Sequence, residues 1–80
     1  GEFDMVVADS ETLSCEIYEV KYSTEVVEKQ YQHLIDEEKC KDTEFRYGKI
    51  KNKYVIYRGE TTEVNGIKYV NTEEYLKSLA

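Results

Sequence analysis

Tyr54-Val55-Ile56-Tyr57 is an uninterrupted apolar run, and no other stretch restricts the fold of this chain as strongly. Side chains of a strand point alternately to opposite faces, so four apolar residues in a row predict a strand buried on both sides. Such a strand belongs in the middle of a sheet. With 80 residues there is room for a single core, because a chain of this size buries only about 60–65% of its unfolded surface. One domain spanning 1–80 is expected, with one modest sheet and a few helices. The chain holds no proline, repeat, linker or low-complexity segment.

Two hairpins flank the central run. Phe3 to Ala8 is apolar and β-branched apart from Asp4, and Asp9-Ser10-Glu11-Thr12 is a polar turn. Leu13 to Tyr22 then alternates, with Leu13, Cys15, Ile17, Glu19 and Lys21 on one face. The second hairpin, 62–70, is marked by Asn65-Gly66, a pair that tolerates positive φ at both positions of a two-residue turn.

Between the first hairpin and the central strand, Val27, Tyr31, Leu34 and Ile35 follow helical spacing. A helix over about 24–39 is predicted, capped by Ser23 or Thr24; residues 43–48 are ambiguous, compatible with one further helical turn ended by Gly48. Strand, helix, strand makes a crossover that sets 54–57 parallel to 13–22. Asn71 caps a last helix, about 72–79; Glu74 completes a capping box, Val70 staples against Tyr75, and Leu76 and Leu79 close the core. The predicted class is α+β: a β-β-α-β core with a mixed sheet, then a hairpin and a C-terminal helix.

A net charge of −6 disfavours unaided binding to nucleic acid, whose affinity comes mainly from lysine and arginine. The charge is uneven, however. Residues 39–58 hold seven cations against two acids, a local +5 that includes Lys49, Lys51 and Lys53. Such a zone either keeps a sheet edge soluble or touches phosphate. Cys15 and Cys40 lie outside any C-x-x-C motif and read as reduced thiols of a cytoplasmic protein. No run approaches the roughly 18 apolar residues that cross a bilayer, and no secretory segment is present, so no membrane association is expected.

The chemistry concentrates in the first hairpin. With the turn centred at Glu11-Thr12, Val6 faces Ile17, Ala8 faces Cys15, and Asp4 faces Glu19 beside Lys21, all on one side of the sheet. Directly opposed Cβ atoms are about 4.5–5.5 Å apart, close enough for two carboxylates to share a divalent cation. Phosphodiester hydrolysis uses such a group: Mg²⁺ or Mn²⁺ on Asp4, Glu19 and the Val20 carbonyl, with Lys21 stabilising charge or orienting water. His33, alone on the helix, reads as a surface or partly packed side chain rather than a ligand. The eight tyrosines read as sheet packing, and Cys15 as core filling with no His to activate it.

Phe3-Asp4 followed after 14 residues by Glu19-Val20-Lys21 resembles the PD-(D/E)xK nuclease signature, with Phe3 in the place of its proline. In that family a hairpin carries Asp on one strand and Glu-x-Lys on the next, ahead of a helix and a parallel strand. The segments GEFDMVVAD, IYEVKYS, YGKIKNKYVIYRGE and NGIKYVNTEEYL also resemble the C-terminal domain behind the ATPase module of many prokaryotic AAA-type ATPases of unknown function. That similarity covers essentially all 80 residues. It implies a cytoplasmic, restriction-endonuclease-like domain acting on DNA, with Asp4, Glu19 and Lys21 as catalytic residues. Lys49, Lys51 and Lys53 then become candidate phosphate contacts, and ATP binds only on the upstream domain, which is also the expected partner.

Because Gly1-Glu2 leads directly into a strand, the chain is expected to be a C-terminal fragment of a longer ATPase. The family's preceding helix and strand, which often bring another acid, are missing; Glu2 is the candidate substitute. The Gln-x-x-x-Tyr element of some nuclease branches is not matched, since Leu34 stands four after Gln30. A rival reading is a non-catalytic interaction or regulatory module that keeps a degenerate nuclease fold.

Overall fold

A computed structural model describes residues 3–26 and 28–80; Glu2, and Val27 of the expected helical stripe, lie outside them. Five strands form one mixed sheet in the order β1-β2-β3-β5-β4. They are β1 (Met5–Asp9), β2 (Ser14–Val20), β3 (Lys49–Tyr57), β4 (Thr62–Val64) and β5 (Ile67–Asn71). The helices are α1 (Glu28–Tyr31), α2 (Glu37–Tyr47) and α3 (Thr72–Ser78), and a 3₁₀ turn over His33–Ile35 lies between α1 and α2.

The first hairpin adopts the register read from its turn: Met5 pairs with Tyr18, Val6 with Ile17 and Ala8 with Cys15. Asp9 organises the connection, its Oδ1 accepting from the Glu11 and Thr12 amides at 2.9 and 3.3 Å. In the second hairpin, Asn65 and Gly66 take φ of 51° and 78°, and Val64 pairs with Ile67. Positive φ at both turn residues matches the twist of the flanking strands.

β3 runs parallel to both β2 and β5 and occupies the centre of the sheet. It is longer than its apolar run, beginning at Lys49 rather than Tyr54. The polar half is extended because β2 offers partners along its whole length, and ladder pairing outweighs local composition. Gly48 makes the turn into it at φ 94°, and a Cβ there would lie 1.9 Å from the Leu13 carbonyl oxygen. Only glycine fits where the end of α2 crosses the tip of the first hairpin.

The single helix expected over 24–39 is instead broken. Asp36, with extended backbone, accepts from the Lys39 amide at 3.0 Å and starts α2 afresh, which then runs through the ambiguous 43–48 segment. A carboxylate that satisfies orphan amides competes with helix continuation at that point. As a result Tyr31 and Leu34 are buried, whereas Ile35 faces solvent.

Phe3, Ile17, Tyr31, Leu34, Val55, Tyr57, Ile67 and Tyr69 form the core between the sheet and the α1–α2 segment. The other face carries Tyr18, stacked on Tyr54 at 4.7 Å and tilted against Tyr75 of α3 at 5.9 Å. There Glu16 accepts from Asn52 and Tyr54 at 2.8 and 3.0 Å, and Lys68 donates to Asn52 at 3.0 Å. Burial and the Glu16 bond push the Tyr54 hydroxyl up to about 12. α3 departs from expectation: Leu76 and Leu79 are exposed and do not close the core. Asn71 caps it as expected, through the Glu73 and Glu74 amides, but Glu74 bonds Thr61, whose Oγ1 takes the Asn71 amide in its stead. No helix among the described residues is long and apolar enough to cross a membrane.

Candidate functional site

Asp4 lies one residue ahead of β1, and the hairpin register carries it opposite Glu19. Its Oδ2 accepts from the Val20 amide at 2.8 Å, which fixes the carboxylate over the end of β2. Glu19 is 5% exposed because its position faces the core side of the sheet, alternating with Tyr18 and Val20. Its carboxyl group is coupled to that of Asp4, with Glu19 the acid that keeps a shared proton and Asp4 the one that stays ionised. The cause is unequal solvation. Burial, then the Asp4 bond and the Asp4 charge, push Glu19 from 4.5 up to about 7. The Val20 amide holds exposed Asp4 below its usual range, aided by the Glu19 bond and by Lys21 and His33.

Lys21 follows directly, anchored through its own amide to the Ile56 carbonyl at 2.9 Å, and its charge favours ionisation of both carboxyls. Asp4, Glu19 and Lys21 therefore converge at the carboxyl end of β2. The contact that Val20 makes there is through its N–H, bonded to Asp4, rather than through a carbonyl. Lys39 and His33 were not foreseen as part of this group. Lys39 Nζ donates to His33 Nδ1, and the Lys39 charge acts on Glu19. Their approach depends on the break at Asp36, since positions six apart do not meet on a continuous helix.

Among the described residues, no three or more His, Cys, Asp or Glu side chains form a metal-binding cluster. Two carboxylates are nonetheless a sufficient protein share for Mg²⁺, which keeps several of its waters and is commonly held through one or two carboxylates. All the oxygens at this site are hard donors, and one of the two acids reaches solvent. The residues present thus fit such an ion, on condition that the shared proton leaves.

Lys49, Lys51 and Lys53 are placed differently. Lys49 pairs with Ser14 at the far end of the sheet, about 20 Å along the strand from the level of Glu19. The register shifts between Cys15 and Glu16, so Lys49 and Lys53 fall on opposite faces. Lys53 lies against Cys40, whose thiol is pushed up by burial and drawn back by that ammonium. The three do not form one row beside the carboxylates.

Both cysteines are free; Cys15 is buried against the Gly48 carbonyl and Cys40 bonds the Leu34 carbonyl. Most tyrosines pack, as Tyr57 does edge-on to Tyr69 at 5.1 Å. Tyr22 is the most exposed of them, at 84%, with the Arg58 guanidinium 5.5 Å from its ring centre. No family model, curated protein or solved structure matches this chain.

Proposed function

We propose that this chain is a nuclease-like domain that hydrolyses phosphodiester bonds in DNA at Asp4, Glu19 and Lys21. The observation that carries the reading is the carboxyl pair itself: Asp4 pinned to the Val20 amide and set opposite a buried Glu19 by the hairpin register, with Lys21 alongside. Mg²⁺ or Mn²⁺ held by these two carboxylates would polarise the phosphoryl group and supply hydroxide near neutral pH. Around it, Glu19 releases the shared proton, Asp4 stays ionised through the Val20 amide, and Lys21 offsets charge that develops on the phosphoryl oxygens. The hairpin, the crossover and the parallel central strand are the arrangement that the PD-(D/E)xK resemblance implies, and they support a restriction-endonuclease-like assignment of the sheet. By the same resemblance the domain works behind an ATPase module in a longer cytoplasmic chain, with ATP bound there.

A second reading, a binding module without catalysis, is favoured by one observation. Phe45 is 92% exposed and Leu13 71%, and both line a cleft of about 380 Å³ at the sheet end remote from the carboxylates. Exposed large apolar side chains gathered around a cleft suit a protein partner such as the ATPase module.

Cleavage of plasmid and oligonucleotide DNA in Mg²⁺ or Mn²⁺ tests the first reading. Glu19→Ala and Lys21→Ala are each expected to lose activity by two orders of magnitude or more. Parent-like cleavage by either variant sinks the assignment. Calorimetric titration with Mn²⁺ separates the two readings, since no heat, together with no change on Asp4→Ala, leaves only the binding module.

A further inference from the structure

The carboxyl ends of the three parallel strands open into a cleft of about 540 Å³, next to the carboxylate pair and distinct from it. Its wall is formed by Lys21 and Tyr22 after β2, Arg58 after β3, and Asn71, Thr72 and Glu73 where β5 enters α3. The chain leaves β2 toward α1–α2 on one face of the sheet and leaves β5 toward α3 on the other. Strand ends between connections that diverge in this way leave a crevice, and in open sheets that crevice is where ligands sit.

The lining has the chemistry of a nucleotide. Arg58 and Lys21 supply two cations, and the exposed Tyr22 ring, already flanked by the guanidinium, offers a free aromatic face. Asn71 and Thr72 are occupied internally, Asn71 on the Arg58 and Gly59 carbonyls and Thr72 on the Tyr57 carbonyl, so they shape the wall. Glu73 repels phosphate on the α3 side and leaves the Lys21–Arg58 side to receive it. We infer that this cleft binds an unpaired nucleotide, its base stacked on Tyr22 and its phosphate on Arg58 and Lys21, so that the preferred substrate is single-stranded or frayed DNA. A base within a duplex is already stacked on both sides and cannot offer a face to Tyr22. Lys21 borders the cleft and follows Glu19 directly, so a strand bound here passes beside the carboxylate pair. Calling that strand a substrate rests on the proposed nuclease activity; its binding does not.

The test is fluorescence anisotropy with labelled oligothymidylate and with a duplex of equal length, in EDTA so that nothing is cleaved. Single strand should bind tighter than duplex. Tyr22→Ala should weaken single-strand binding by about 5- to 150-fold while Tyr22→Phe retains it, the range of one lost base–aromatic stack. Arg58→Ala should weaken binding and reduce the salt slope by about 0.7, the loss of one phosphate contact. Tyr22 and Arg58 are both exposed, so these variants keep the fold, and circular dichroism checks this. No binding of oligothymidylate, tighter binding of duplex, or unchanged affinity in Tyr22→Ala overturns the inference even where DNA is cut. Single-strand binding that depends on Tyr22, with no cleavage in Mg²⁺, upholds it and removes only the nuclease reading.

Discussion

Replacing Glu19 with Gln isolates the most strongly perturbed acid of the site. Glu19 is raised from 4.5 to about 7, chiefly by burial and then by its bond to Asp4. Between those values the folded chain keeps a proton that the unfolded chain releases. The associated stability is therefore complete below about pH 4.5 and disappears as pH rises through about 7. At roughly 1.4 kcal/mol per pH unit the effect is about 3 kcal/mol, a large share of the stability of a domain this small. Asp4 works in the opposite sense and elsewhere: its lowered value contributes above about 3.8 and is lost only in stronger acid. Urea unfolding at intervals from pH 5 to 8.5 reads the slope directly. The parent should lose about 3 kcal/mol over that range. Glu19→Gln keeps an N–H donor to Asp4 and has no proton to lose, so its profile should be nearly flat and cross above the parent near neutrality. A parent that loses less than about 1 kcal/mol, or a variant with the same slope, refutes the shared-proton arrangement.

Three further outcomes follow from packing and hydrogen bonding. Gly48→Ala should destabilise by at least about 2 kcal/mol in chemical denaturation, because a Cβ meets the Leu13 carbonyl oxygen at 1.9 Å and φ is 94°. Tyr69→Phe should be neutral or stabilising by up to about 1 kcal/mol in the same assay, since its buried hydroxyl has no hydrogen-bond partner among the described residues. Tyr57→Phe, which loses a bond to the Glu60 carbonyl, should cost about 1 kcal/mol, and the contrast between the two is the measurement of interest.

The features legible in the sequence are those that local chemistry decides. Turn residues set the register of both hairpins, and period-two alternation then brings Asp4 to Glu19. The order strand, helix, strand was enough to make β3 parallel to β2. Elsewhere two signals of similar strength competed. The 24–39 periodicity and the capping side chain of Asp36 point to different helices, and the cap prevailed. Lys49 to Lys53 carry no apolar strand pattern of their own, and it is β2 that supplies the ladder for them. Leu76 and Leu79 mark an apolar stripe, but periodicity does not say whether a layer exists to cover it, and here they face solvent. Lys39 and His33 could be placed beside the carboxylates only once the helix break was known.

The sheet order also sets a schedule for folding. Each hairpin closes over a few residues, but β3 must join β2 across the whole α1–α2 segment, and longer closure is slower. Until it arrives, β2 and β5 each present an open backbone edge, the condition under which newly made chains pair with one another. The polar half of β3 bears on this directly. Lys49, Lys51 and Lys53 charge the one segment that must remain unpaired longest, which discourages it from docking on a neighbour's edge while its own is being completed. On this view the three lysines protect the chain during its own assembly, a service that is over once the central strand is in place.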